Sequence, residues 1–211
     1  MYQNSISKMA RYGSLALLCV TAGCAMQKPA QSSLETLAEV EIPAEAQRQY
    51  GEAVAQLETG EFAVAAAKFE IFVQRYPDYA AAYINLAIIH ARQERDDEAL
   101  LMLSRALEID STNPVALNQL ALLKRRSGDF GAAESAWRKA IDANPDYLYA
   151  WYNLGVLYDL YLQDLPAALE HYQAYQVLNG MADSDAIVAR WIADLKNRIG
   201  DPPQTAQVTE F

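Results

Sequence analysis

Apolar residues recur at helical spacing along most of the chain, and one arrangement of small and large residues returns about every 34 positions. An alanine is followed four places later by a large residue at Ala65/Phe69, Ala99/Leu103, Ala133/Trp137 and Ala168/Tyr172. These pairs lie 34, 34 and 35 residues apart. Before each of the last three pairs stands a second set, Tyr83/Leu86/Ala87, Leu117/Leu120/Ala121 and Trp151/Leu154/Gly155. Several positions that keep one period predict a stack of similar helix pairs.

This pattern resembles the tetratricopeptide repeat family, whose 34-residue unit reads W-x2-L-G-x2-Y…A-x3-F…P. The resemblance covers roughly residues 44–180. It implies an all-α solenoid of about four helix pairs, because one pair cannot bury its apolar face alone and must stack on its neighbours. We expect a repeat domain over residues 44–199, with repeats at 44–79, 80–113, 114–147 and 148–181 and a capping helix at 184–199. The extra residue of the fourth repeat is expected in the turn between its two helices, within YLQDLPA.

The first 24 residues follow a different pattern. Lys8 and Arg11 precede an apolar run from Tyr12 to Val20, and small residues then lead to Cys24. This arrangement resembles a bacterial lipoprotein signal, which implies that residues 1–23 are removed and that Cys24 carries acyl chains such as palmitate. The apolar run is shorter than the ~20 residues that a membrane-spanning helix needs. An ordinary secretory signal and a short membrane anchor are the alternatives.

The residues after the signal bear on localisation. Ala25, rather than aspartate, follows the cysteine, and the lipoprotein resemblance associates this with the periplasmic face of the outer membrane. Residues 24–43 are expected to be the lipidated cysteine and a flexible tether, and residues 200–211 a disordered tail. The chain has only two cysteines. Because Cys19 lies in the removed segment, no disulfide is expected in the mature protein.

Composition narrows the classes of function. The chain has 17 basic and 27 acidic residues and a net charge of −10, which argues against non-specific nucleic-acid binding. It has two histidines, no glycine-rich phosphate loop and no metal-ligand spacing. We therefore expect no enzymatic activity, no cofactor and no metal. His90 is expected to be a hydrogen-bonded packing residue, and the partners are expected to be protein segments and, through the lipid, a membrane.

The resemblance also implies a binding surface, because the first helix of each pair lines a groove in this family. The candidate partner-binding residues are Ile84, Asn85, Ile88 and Arg92 in repeat two, Asn118, Leu122, Arg125 and Arg126 in repeat three, and Tyr149, Tyr152, Asn153 and Val156 in repeat four. Tyr149 and Tyr152 are expected to offer exposed aromatic area to a partner. Arg92, Lys124, Arg125 and Arg126 are expected to form a local basic patch, with favourable charge at helix C-termini as the alternative. Ile84, Asn118 and Tyr152 stand where a carboxylate-clamp repeat would carry its first lysine, so that specificity is not expected.

Lipid-anchored repeat proteins of this size resemble three groups: pilotins of pilus systems, periplasmic repeat proteins that accompany TonB-type systems, and outer-membrane assembly scaffolds. The segment WYNLGVLYDLYLQDLPAALEHY is most similar to the TonB-associated group. The expected function is a non-enzymatic, lipid-anchored adaptor that binds a periplasmic partner segment as an accessory component of a TonB-type energy-transducing system. The alternative is a pilotin-like trafficking factor for an outer-membrane pilus or secretin complex.

Overall fold

The computed structural model describes residues 43–180 and 186–200, and every regular element in these ranges is helical. The helices are α1 (Ala44–Glu58), α2 (Phe62–Arg75), α3 (Ala80–Arg92), α4 (Asp96–Ile109), α5 (Pro114–Arg126), α6 (Phe130–Ala143), α7 (Leu148–Val156), α8 (Leu165–Leu178) and α9 (Ala186–Gly200). They pair in sequence as α1/α2, α3/α4, α5/α6 and α7/α8, and α9 packs on α8. The predicted all-α architecture of stacked helix pairs is confirmed. The predicted signal, nearly all of the tether and the tail beyond Gly200 lie outside the described residues.

Side-chain caps fix where several helices begin. The Asn113 side-chain oxygen accepts hydrogen bonds from the backbone amides of Val115 and Ala116, both at 3.1 Å. Asp129 and Asp164 each accept from the backbone amide three residues on, at 3.2 and 3.1 Å. These bonds satisfy amides that have no partner inside the helix, and they mark α5, α6 and α8 as separate elements.

The turn inside each repeat contains one residue in the left-handed region. These residues are Gly60, Glu94, Gly128 and Gln163, with φ of 83°, 60°, 83° and 56°. The first three are 34 residues apart, and the last follows after 35, so the extra residue of repeat four lies before Gln163. There α7 continues as a π-helical segment, Leu157–Leu162. The prediction that the turn holds the extra residue is wrong. A π-turn takes one more residue than an α-turn, so the extra residue lies in the first helix of the repeat and the turn keeps its length.

Backbone hydrogen bonds at the end of the turn show the same insertion. The amide of Asp129 donates to the carbonyl of Lys124, five residues back, at 2.9 Å. In repeat four the amide of Asp164 donates to the carbonyl of Tyr158, six residues back, at 3.0 Å. The second helix of repeat four therefore starts in the same way as that of repeat three.

The core lies between the paired helices and between neighbouring repeats. Phe69, Leu103, Trp137 and Tyr172, the large residues of the repeated pattern, are at most 1% exposed. Gly155 is the small residue opposite Tyr172, and a Cβ added to it would lie 2.5 Å from the Tyr172 Cδ1 atom. This close approach explains why repeat four has glycine where repeats two and three have alanine.

Candidate partner-binding surface

Side-chain hydrogen bonds connect the first helices of neighbouring repeats. The Asn85 amide Nδ2 donates to the Tyr50 hydroxyl at 2.9 Å, which joins α3 to α1. The Asn153 amide Nδ2 donates to Asn118 Oδ1 at 3.0 Å, which joins α7 to α5. The partners are 35 residues apart in both cases. Burial raises the pKa of the Tyr50 phenol, so this hydroxyl keeps its proton near neutral pH.

Three of the predicted partner-binding residues are buried instead of facing solvent. Asn118 and Asn153 are 5% and 8% exposed, and Asn118 Oδ1 also accepts from the Trp137 indole Nε1 at 2.9 Å. Ile84 is 5% exposed and lies in a core cluster between α3, α4 and α5. Their places on a single helix suggested an outer face, but the next helix covers them. Their role is to hold the repeats together.

The two candidate tyrosines differ in their surroundings. Tyr149 is 56% exposed, and its ring meets the Tyr147 ring edge-on at 5.7 Å. Tyr152 is half-buried, and its ring lies 5.5 Å from that of Tyr175 and 6.1 Å from that of Trp191. The expectation of two freely exposed rings is therefore wrong for Tyr152, which contacts the capping helix α9. Tyr149 remains open to a partner.

The candidate arginines already make contacts within the chain. The Arg92 guanidinium lies over the Phe62 ring at 5.4 Å. The Arg125 guanidinium lies 5.6 Å from the centroid of the Trp137 ring in its own repeat and 5.7 Å from that of the Tyr161 ring in repeat four. Arg126 forms an ion pair with Asp96 and also donates to a backbone carbonyl of α3 at 3.2 Å. These groups link neighbouring repeats, and Arg92 and Arg126 remain exposed at the edge of the surface.

A row of apolar side chains crosses the first helices. Val54, Ile88, Leu122 and Val156 stand at the same place in the four repeats, each 34 residues after the one before, and all are half-buried. We call these four residues the apolar stripe. Ile88, Leu122 and Val156 were predicted as binding residues. Val54 was missed, although the 34-residue period applied to Ile88 points directly to it.

His90 is 6% exposed and its Nδ1 atom has no hydrogen-bond partner, so the expectation of a hydrogen-bonded histidine is wrong. Burial lowers the pKa of His90, and the charge of Arg95 lowers it further. Among residues 43–180 and 186–200, no three histidine, cysteine, aspartate or glutamate side chains are placed as metal ligands would be. None of the helices in these ranges combines the length and hydrophobicity of a transmembrane span.

Comparison with known proteins begins with a family match. A family model described as tetratricopeptide repeat matches residues 50–114 and 118–186. A CTR9 homolog from Arabidopsis thaliana is 32% identical over 75 residues, which is 36% of this chain and 7% of that protein. About a third of this chain therefore matches a small part of this much longer relative.

Solved structures share the fold at low sequence identity. The structure of Pseudomonas aeruginosa PilF superposes with a TM-score of 0.65 at 21% identity, over 74% of this chain and 69% of that one. The first repeat domain of Spaghetti (RPAP3), bound to the HSP90 peptide SRMEEVD, gives 0.51 at 21% identity, over 58% and 94%. The second structure shows a domain of this fold with a peptide bound.

Proposed function

Because the chain belongs to the tetratricopeptide repeat family, whose members mediate protein–protein interactions, we propose that it is a non-enzymatic adaptor that binds a partner segment along its apolar stripe. The stripe is the observation that carries this proposal. It repeats one half-buried aliphatic side chain in each of four successive first helices. Such a row suits an extended or helical segment that places an apolar residue over each repeat.

The edges of the stripe indicate the chemistry of the partner. Tyr149 adds an exposed aromatic ring on α7, seven residues before Val156 and therefore on the same face of the helix. Arg92 and Arg126 are exposed at the C-terminal ends of α3 and α5, four residues after Ile88 and Leu122. Burial of Tyr149 and of the aliphatic side chains would provide most of the affinity, whereas exposed arginines mainly affect association rate and orientation. The proposed segment is therefore apolar, with acidic residues along one side.

We further propose that the adaptor works in a bacterial envelope. The sequence that leads to Cys24 supports a lipid anchor at the periplasmic face of the outer membrane, and the partner is then a periplasmic or membrane protein. In this setting the adaptor would be an accessory component of a TonB-type energy-transducing system. The proposal rests on the resemblance of the leader and of repeat four to such proteins.

The alternative is a pilotin-like factor that helps an outer-membrane pilus or secretin complex to assemble. The likeness to PilF favours considering it. At 21% identity that likeness establishes a common fold only. Deletion of the gene separates the two roles. An adaptor of a TonB-type system should be needed for energy-dependent uptake, whereas a pilotin-like factor should be needed for the secretin ring to reach the outer membrane.

Photocrosslinking in cells would test where the partner binds. A photoreactive amino acid at Ala81, which is exposed on α3, should crosslink the partner. The same amino acid at Lys139, exposed on the second helix of repeat three, is the matched control. Leu122→Ser should remove the Ala81 crosslink while circular dichroism stays that of the wild type. Equal crosslinking from Lys139, or none from Ala81, would place binding away from the stripe.

A further inference from the structure

A groove separates α4 from α5, away from the apolar stripe. It forms a cavity of about 360 Å³ lined by Leu100, Ser104, Leu107, Glu108 and Leu120. Leu120 is only half-buried, whereas Leu86 and Leu154, one repeat before and after it, are 1% and 0% exposed. The groove therefore uncovers a leucine that is covered in both neighbouring repeats.

Three rings occupy the corresponding place in the next repeat. The His171 ring lies 5.7 Å from that of Trp151 and 5.2 Å from that of Tyr158. The Tyr158 hydroxyl donates to Glu134 Oε1 at 2.6 Å and accepts from Arg138 at 2.7 Å. His171 and Tyr158 are each 6% exposed. The site between α6 and α7 is thus filled by aromatic side chains of the chain itself, with a carboxylate holding the phenol.

The period of the repeat shows why the groove between α4 and α5 is open. One repeat earlier, Leu117 stands at the place of Trp151, Lys124 at that of Tyr158 and Ala136 at that of His171. Leu100 and Ser104, which line the groove, stand at the places of the two side chains that hold the phenol. All three rings are replaced by smaller or flexible side chains, so the space that they would fill is left over.

The first repeat junction does not share this feature. At the places of the three rings it has Tyr83, Met102 and His90, all large side chains. Leu86, the counterpart of the uncovered leucine, is buried there. Of the three junctions between described repeats, only the junction between repeats two and three lacks a large side chain at all three of these places.

We propose that this groove binds a tyrosine or tryptophan side chain presented by a partner protein. Three leucines supply apolar walls for a ring, and the same helical frame encloses rings one repeat later. Ser104 and Glu108 supply oxygen atoms at its border. Glu108 accepts from Arg105 at 2.7 Å through one carboxylate oxygen, and a phenol or indole donor can use the other. Aromatic residues with a polar tip are frequent anchors of protein interfaces, since one side chain buries a large area.

The groove is a second binding surface, separate from the apolar stripe on which the proposed function rests, because the two have no residue in common. It is tested on the full chain with N-acetyltyrosinamide as the probe and methyl NMR of labelled leucines as the readout. The methyl groups of Leu100, Leu107 and Leu120 should shift and saturate at millimolar probe, as expected for a single side chain. Leu178, exposed on α8, is the internal control and should not shift.

A substitution that fills the groove from within provides the decisive comparison. Lys124→Tyr restores the residue found at the same place in repeat four, and it should weaken probe binding at least about tenfold while raising the melting temperature. Lys139→Tyr, on exposed α6 surface, should change neither. Ser104→Phe blocks the groove from α4 and should also abolish binding of the probe. This second variant keeps the test valid if the Lys124→Tyr variant fails to fold. Absence of saturable shifts, or shifts that survive both blocking variants, would overturn the proposal.

Discussion

Gly155→Ala tests the helix packing most directly, because the structure predicts the sign of its effect. A Cβ at this position would lie 2.5 and 2.6 Å from two atoms of the Tyr172 ring. Tyr172 is 1% exposed, and the Tyr152 and Trp191 rings lie 6.3 and 5.5 Å from it. The ring therefore has no solvent-filled space into which it can move. The added methyl group must displace a packed aromatic side chain or separate α7 from α8.

Two opposing contributions set the magnitude. Alanine is favoured over glycine inside a helix by about 1 kcal/mol. Inserting a carbon into a packed core costs about 1–3 kcal/mol, occasionally more. Since the contact is well below van der Waals distance, we expect a cost near or above the top of that range and a net loss of about 2 kcal/mol. Gly51→Ala in α1, where nothing lies within 4 Å of the new Cβ, should instead stabilise the domain by about 0.5–1 kcal/mol.

Urea unfolding followed by circular dichroism would measure both variants under the same conditions. Tyr172→Leu copies repeat two, where Leu103 and Ala87 occupy the corresponding places. Gly155→Ala should cost clearly less in that background, because the pair is coupled through one contact. If Gly155→Ala were as stable as the wild type with Tyr172 present, the close approach of α7 to α8 would be refuted.

Three further predictions concern pH, membrane attachment and binding. Burial lowers the pKa of His90, so the unfolded chain binds more protons below about pH 6.5, and stability should fall between pH 7 and pH 5. Glu70 and Glu98 act on His90 in the opposite direction to Arg95, and His90→Tyr should flatten the stability profile in urea titrations at several pH values; an unchanged slope would contradict it. Cys24→Ser should leave a larger precursor that no longer partitions into detergent, and equal partitioning of both forms would exclude lipidation at this residue. Once a partner is identified, Tyr149→Ala should weaken its binding by about 2 kcal/mol with unchanged helical content. Val177 is exposed on α8, and the Val177→Ala variant should bind the partner normally in the same titration.

The features that depend on a single helix and its period could be predicted from the sequence. Ala133 and Trp137 lie four residues apart on one face, and their spacing places both in the core. Asn113 before a proline is a sequence signal for the start of a helix, and the structure shows the cap at the start of α5. Such signals are local, so one sequence is enough to read them.

The features that depend on the neighbouring helix could not be predicted in this way. Ile84 and Asn118 occupy the outer side of a helical wheel, yet the adjoining first helix and the second helices cover them. Tyr152 was wrongly expected to be exposed. Its contact with Trp191 joins residues that are far apart in the sequence, so helical periodicity gives no sign of it. The open space between repeats two and three depends on which neighbouring side chains would fill it, and Lys124 by itself gives no sign of it. Burial is a property of the assembled repeats, and helical periodicity alone does not report it.

The π-helical segment Leu157–Leu162 has a consequence for how this domain has diverged and for how it can be engineered. The segment accommodates one inserted residue before the left-handed Gln163. Ala168 and Tyr172 of α8 therefore remain buried, like their counterparts in the other second helices. The same insertion inside α8 would turn every later side chain by about 100° and carry Tyr172 away from the core. Repeat four can therefore change length at one place without a change in packing. Repeat exchange or consensus design that imposes a uniform 34-residue period must make its deletion within this segment.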